Sequence, residues 1–249
     1  MESGKSRPAL IQCRDAHGND AGFYVVKLFG SMESKETAFM CEFAAYHLAA
    51  LLGIPTPEPA IVNIEKDFVE AMEPNIQRQF TASICLNFAT KFKSPGFSTW
   101  PIDKPIPRNI FQVCAEIFAF DVLIQNPDRT RDNPNLLCGA EEIYAYDHET
   151  AFSFIFDIMA QKNPVENLTT QNLGFLKKHV FFNGLRKQEP NYARLEGAML
   201  GVTASAFAEI SHQVPKAWRN AHLDSILKYT ETMCKSPATL TKTAKELLA

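Results

Sequence analysis

Apolar residues concentrate in two early segments, 9–14 (ALIQCR) and 23–29 (FYVVKLF), both rich in β-branched and aromatic side chains. Asp15-Ala16-His17-Gly18-Asn19-Asp20 between them has turn chemistry, so the pair is predicted to form a β-hairpin. From about Ser34 to Leu52 the period becomes helical, with Phe39, Phe43, Tyr46 and Ala50 at i, i+4, i+7 and i+11, and Gly53 then Pro55 stop it. A further strand is expected at 60–64. Segments 68–72 and 83–88 can be read as strands, with the polar stretch 73–80 undecided. Four prolines and one glycine exclude regular structure from 93–109. Helical periodicity returns at 110–124. A polar loop follows, then a short hairpin around 136–145 and helices near 172–184, 190–212 and 222–248.

The pattern therefore shifts from strand-rich to helix-rich within 85–109. A small sheet with one helix would make a thin core alone, so two lobes sharing a core, residues 1–87 and 88–249, fit better than two independent domains. The fold class expected is α+β.

Composition narrows the functional classes. The 249 residues are 46% hydrophobic and 21% charged, with 25 Lys+Arg against 28 Asp+Glu and a net charge of −3, the profile of a soluble globular protein. No basic run and no overall positive field favour direct nucleic-acid or membrane binding. The six cysteines are scattered without a CxxC pair, which fits reduced, buried thiols better than zinc ligands or a disulfide framework. The first residues lack the layout of a signal peptide and no apolar run reaches the length of a membrane span, so a cytoplasmic location is expected, and the sequon Asn167-Leu168-Thr169 carries little weight.

Four groups stand out chemically. Lys27 lies inside an apolar strand, sharing a face with Phe23, Val25 and Phe29, where an ammonium wants an anionic partner. Glu42 lies beside the apolar stripe of the Ser34–Leu52 helix, where an unpaired carboxylate would be costly; a strand Lys facing that Glu satisfies both. The loop Asn126-Pro127-Asp128-Arg129-Thr130-Arg131-Asp132-Asn133-Pro134-Asn135 is the most polar stretch of the chain, bounded by FAFDVLI and LLC. It is no EF-hand, because its sixth position counted from Asp128 is Asn133 rather than Gly and its twelfth is Gly139 rather than Glu. Asp147 follows the strand-like EEIYAY, a position suited to holding Mg²⁺. Singly, each has a plain structural explanation: an edge-strand lysine, a helix cap, a turn carboxylate. In the order strand Lys, helix Glu, Asp-x4-Asn, Asp, they match the parts of a phosphoryl-transfer site.

FAFDVLIQNPDRTRDNPNLL followed by IYAYDHETAF closely resembles the HipA-like kinase family and, more distantly, the type II phosphatidylinositol 4-kinases. GKSRPALIQC, YVVKL and CEFAAYHLAALLGIPTPEPAIV are similar to the nucleotide-lobe segments of that family, and HVFFNGLRKQEPNYARL and VPKAWRN to its C-terminal helices. The resemblance implies a two-lobed protein-kinase-like fold, with an N-lobe at 1–87 that binds nucleotide and a helical catalytic C-lobe at 88–249, using ATP and Mg²⁺. Asp128 matches the catalytic aspartate and Arg129 the residue beside it, a phosphate or phosphoacceptor contact. Asn133 and Asp147 match the metal-binding pair, Lys27 the ATP-phosphate lysine with Glu42 as its partner, and Asp121 and Phe120 framework positions. Gly4, Lys5 and Ser6 fall in the phosphate-covering loop, which begins almost at Met1; GxxxxGK[ST] cannot be completed there. His148 replaces the glycine of DFG-like triplets and is expected to pack or to tune the metal site.

The activity implied is a serine/threonine protein kinase with a protein substrate, of the toxin type regulated by an antitoxin-like partner. A kinase for a small molecule or lipid head group, and a degenerate nucleotide-binding interaction module, are the alternatives.

Overall fold

The computed structural model describes residues 8–93, 96–157, 159 and 163–249. The N-terminal hairpin joins β1 (Ala9–Arg14) and β2 (Asp20–Val26) antiparallel, from Ala9 opposite Val26 to Cys13 opposite Gly22, with a register shift before Arg14. Asp15 closes the turn as an Asx acceptor: its carboxylate takes the amides of His17 at 2.8 Å and Asn19 at 2.9 Å. With β3 (Pro59–Asn63) and β4 (Leu86–Lys91) these strands form a sheet of order β1-β2-β4-β3.

Side-chain alternation gives the sheet two different faces. Ala9, Val26, Ala89 and Ala60 are aligned across the strands. That face packs on Val69 and Phe80 of two short helices, α2 (Lys66–Glu70) and α3 (Pro74–Phe80). Residues 68–72 are therefore not a strand. After β3 the chain leaves the sheet and covers its face, which requires only Val69 and Phe80 to turn inward while Phe68 stays exposed. Leu10, Val25 and Thr90 align on the opposite face, which Lys27 continues, its amide donating to Phe88 O at 2.9 Å.

α1 (Lys35–Leu52) is the hinge of the architecture, buried on almost every side. Tyr46 packs on Phe88 of β4, ring centres 5.2 Å apart, while Phe39 meets Trp218 from the C-terminal region at 5.1 Å. The sheet and the helical part are thus joined through one core. α1 ends where Gly53 takes a left-handed φ of 65° and lets the Ile54 amide turn back to Ala49 O at 2.9 Å. β4 runs through the division expected between residues 87 and 88.

The second half is mainly helical. α4 (Phe111–Leu123) is buried continuously from Cys114 to Leu123, so periodicity hardly marks a polar side. The stretch 93–109 is not wholly irregular: β5 (Ser98–Thr99) pairs with β6 (Leu136–Cys138), which pairs with β7 (Ile143–Ala145), and Arg108–Ile110 form a 3₁₀ turn. Segment 172–184 holds a 3₁₀ helix, Gly174–Lys178, and the short α5 (Phe182–Leu185). The helix expected at 190–212 is two, α6 (Ala193–Gly201) and α7 (Ala204–Gln213), the second capped by Thr203 Oγ1, which accepts the Ala206 amide at 3.4 Å. The one at 222–248 is also two, α8 (His222–Lys235) and α9 (Pro237–Leu248). Pro237 has no N–H to continue the first and is well suited to start the second.

The fold is α+β. All six cysteines are free, with Cys41, Cys114, Cys138 and Cys234 buried. Among the described residues no helix is long and apolar enough to cross a membrane.

Gly53→Ala puts a Cβ into a left-handed conformation and 2.7 Å from the Arg194 guanidinium. It is expected to lower stability by about 1–2 kcal/mol in urea unfolding, with the slope unchanged.

Candidate active site

Lys27 extends from the end of β2 into a group of three carboxylates. Its ammonium contacts Glu42 Oε1, Asp147 Oδ1 at 2.6 Å and Glu149 Oε2 at 3.0 Å. Glu42 comes from the buried face of α1, and its second oxygen accepts the His148 amide at 2.8 Å. That pair of bonds sets β2, α1 and segment 147–149 in one geometry. Asp147 sits just after β7 with φ of 61°. Asp147 and Glu149 both reach Lys27, and His148 between them is fully buried.

Burial opposes the charge on Lys27, but Asp147, Glu42 and Glu149 outweigh it and hold the ammonium well above the ordinary lysine range. Burial alone would also raise Asp147; the neighbouring Lys27 overrides it and keeps the carboxyl below its usual value. Glu42 and Glu149 move the other way, pushed up chiefly by burial.

The loop between α4 and β6 presents Asp128, half-buried. Its Oδ2 accepts the carboxamides of Asn133 at 2.8 Å and Asn135 at 3.2 Å, and among the described residues no donor is placed on Oδ1. Its amide donates to Asn126 Oδ1 at 3.1 Å, which also accepts Thr150 Oγ1 at 3.0 Å. Burial raises the Asp128 pKa, and the charge of Asp147 adds to it. The oxygen-only cluster of Glu42, Asp147 and Glu149, with one carboxylate oxygen of each within 4.8 Å of the others, suits a hard divalent cation such as Mg²⁺, and Asn133, exposed beside Asp128, offers a further carboxamide oxygen.

Arg129 has a different place from the one expected for it. A guanidinium has five N–H donors, and here five acceptors surround it. Nε meets Asp121 Oδ2 at 2.6 Å, and the others meet Asn135 O at 2.5 Å, Tyr146 O at 3.0 Å, His148 Nδ1 at 3.1 Å and Asp121 Oδ1 at 3.4 Å. With its side chain fully buried it has no donor left for a phosphate; it is a positioning residue inside the framework. Asp121 at its centre also binds His179 Nε2 at 3.0 Å and Asn126 Nδ2 at 3.1 Å. Burial opposes ionisation of Asp121, and the Arg129 and His179 contacts more than reverse this, taking its pKa far below the usual carboxylate range.

The partners also assign the histidine protons. His179 Nδ1 accepts the Phe181 amide, so Nε2 carries hydrogen toward Asp121; His148 Nδ1 accepts from Arg129, so its Nε2 is protonated, and among the described residues it has no hydrogen-bond partner. His148 packs edge-on against Tyr46 and Phe120 with ring centres 4.9 and 5.9 Å away. It is a packing residue, and burial with the Arg129 charge pushes its pKa down to about 3.

The structure thus gathers Lys27, Glu42 and Asp147, with Asp128 and Asn133 beside them, and keeps Arg129 apart from the reacting side. Gly4, Lys5 and Ser6 lie outside the described residues. Two polar residues escaped the sequence reading. Glu149 was signalled by its two-residue spacing from Asp147, and Asn135 by a carboxamide directly before the buried strand β6.

His148 and His179 are both held neutral, with pKa values lowered chiefly by burial. The unfolded chain then binds more protons as pH falls, so their contribution is complete above about pH 6.5 and declines below it, through about 3 for His148. Melting temperature is expected to drop steadily from pH 6.5 to pH 4. His148→Gln should flatten that slope relative to wild type; parallel curves would contradict a buried neutral imidazole.

A family model for HipA-like kinases matches residues 1–247. No curated protein matches the chain.

Proposed function

The chain belongs to the HipA-like kinase family, and from that premise we propose that it is an ATP- and Mg²⁺-dependent serine/threonine protein kinase. The observation that carries this reading is the convergence of Lys27, Glu42, Asp147 and the Asp128–Asn133 pair, each with the chemistry its step requires. When bound, Mg-ATP supplies the transferable phosphoryl group and the cation that offsets its charge. Asp147 and Asn133 would hold the metal. Lys27, oriented by Glu42, would donate to nucleotide phosphates, and the apolar face of Leu10 and Val25 next to it suits a nucleobase.

Asp128 accepts the proton of the acceptor hydroxyl. Asn133 and Asn135 hold Oδ2, which directs Oδ1 toward that proton, and burial keeps the carboxylate more basic than a solvated one. Arg129 acts behind it, binding Asn135 O and Tyr146 O and so holding together the two segments that carry Asp128 and Asp147.

In this reading the nucleotide lobe is residues 1–87 together with the rest of β4, since that strand is one piece of the sheet, and the catalytic lobe follows. Gly4, Lys5 and Ser6 would cover the phosphates. The net charge of −3 and the lack of a basic run favour a protein acceptor over nucleic acid or a membrane surface. An antitoxin-like regulator is the expected partner class, and the compartment expected is the cytoplasm.

Transfer from radiolabelled ATP to protein, including autophosphorylation, tests the reading. Asp128→Ala and Asp147→Ala should each reduce incorporation by about 10²–10⁴-fold, and equal labelling of wild type and both variants would overturn the mechanism. Asn135→Ala should lower kcat about tenfold with little change in KM for ATP, because it loosens Asp128 without touching the nucleotide.

A further inference from the structure

An ammonium has three N–H donors, and Lys27 directs all three at carboxylates of its own chain: Glu42, Asp147 and Glu149. These three are not equivalent. Glu42 is fully buried and its other oxygen is fixed by the His148 amide. Asp147 is close, at 2.6 Å, and held on a positive-φ turn. Glu149 makes the longest contact, 3.0 Å, and its side chain is the most exposed, at 25% against 21% for Asp147 and none for Glu42. Three carboxylates around one ammonium also leave surplus negative charge where an anionic ligand would have to approach.

Building on the nucleotide-binding reading above, we infer that Glu149 is a resident competitor for Lys27: nucleotide phosphates reach the ammonium by displacing its carboxylate, which makes nucleotide binding depend steeply on a divalent cation. The displaced group is the one with the least burial and the longest bond, so its release disturbs neither the Lys27–Glu42 pair nor the Asp147 turn. The freed carboxylate would then have a metal bound with the nucleotide as its counter-charge in place of Lys27. Without metal, the phosphates meet both the occupied ammonium and the charge of Glu149.

Calorimetric titration of the full chain with ATP, with EDTA and then with Mg²⁺, distinguishes the possibilities. Glu149→Gln and Glu149→Ala are expected to bind metal-free ATP about tenfold more tightly than wild type, with a correspondingly smaller gain on adding Mg²⁺. Melting curves without nucleotide confirm that at least one of the two variants is folded at the titration temperature. Lys27→Met serves as the reference for the underlying reading. If Lys27→Met weakens ATP binding but both Glu149 variants match wild type or bind metal-free ATP more weakly, the competitor role is overturned and the nucleotide site stands. If Lys27→Met leaves ATP binding unchanged, the nucleotide reading itself fails.

Discussion

Asp121 and Arg129 form an ion pair with no exposure to solvent, and the geometry of the candidate site hangs on it. Removing two charges from water is costly, and the cost is recovered only when every donor and acceptor finds a partner. Here the partners come from separate parts of the chain: Asn126 and Asn135 from the loop, Tyr146 and His148 from the end of β7, His179 from the segment before α5. The same segment is tied to the loop through its backbone, with the Val180 amide on Arg129 O at 3.1 Å and the Arg131 amide on Lys178 O at 3.3 Å. Losing one member would strand a buried charge, at a typical cost of about 3–5 kcal/mol, so the arrangement is strongly specified. Asp128 is displayed from this base.

Lys27 and Glu42 play the corresponding part on the sheet side. Their pairing fixes β2 against α1, and the His148 amide on Glu42 joins that unit to the segment after β7. The two buried networks meet at residues 146–149: Tyr146 O and the His148 ring bind Arg129, while the His148 amide, Asp147 and Glu149 serve the Lys27 side. Sheet and helical region are therefore registered through a few polar contacts as well as through the shared apolar core.

Four of the seven described non-glycine residues with positive φ fall in the segments around this site. Gln125, Asn135, Asp147 and Phe152 all have φ between 47° and 61°, a region that side-chain-bearing residues enter at a cost of about 1–3 kcal/mol each. Surrounding bonds sustain them: Phe152 donates to Ile124 O at 2.5 Å, Ser153 Oγ to Gln125 O at 2.8 Å, and Asn135 O receives both Arg129 and the Tyr146 amide. Each turn redirects the chain at an edge of the site. Two of them place side chains named in the chemistry, Asn135 and Asp147.

Local patterns settled much of this protein in advance. β-Branched and aromatic content with turn chemistry marked the hairpin, and period with a stop glycine marked α1, because these signals act over a few residues; the order of Lys27, Glu42, Asp128, Asn133 and Asp147 along the chain marked the candidate site. Residues 68–70 close a helix and 71–72 turn out of it, because this segment covers a face of a sheet whose strands lie elsewhere in the chain. The tertiary structure alone decided which polar groups share a site. Arg129, adjacent to Asp128 in sequence, turns inward because five acceptor atoms of Asp121, Asn135, Tyr146 and His148 satisfy its guanidinium, and Glu149 is drawn to a lysine 122 positions away. Sequence neighbours on a loop can face opposite sides of it, and only the packing of remote segments determines which side holds the matching charge.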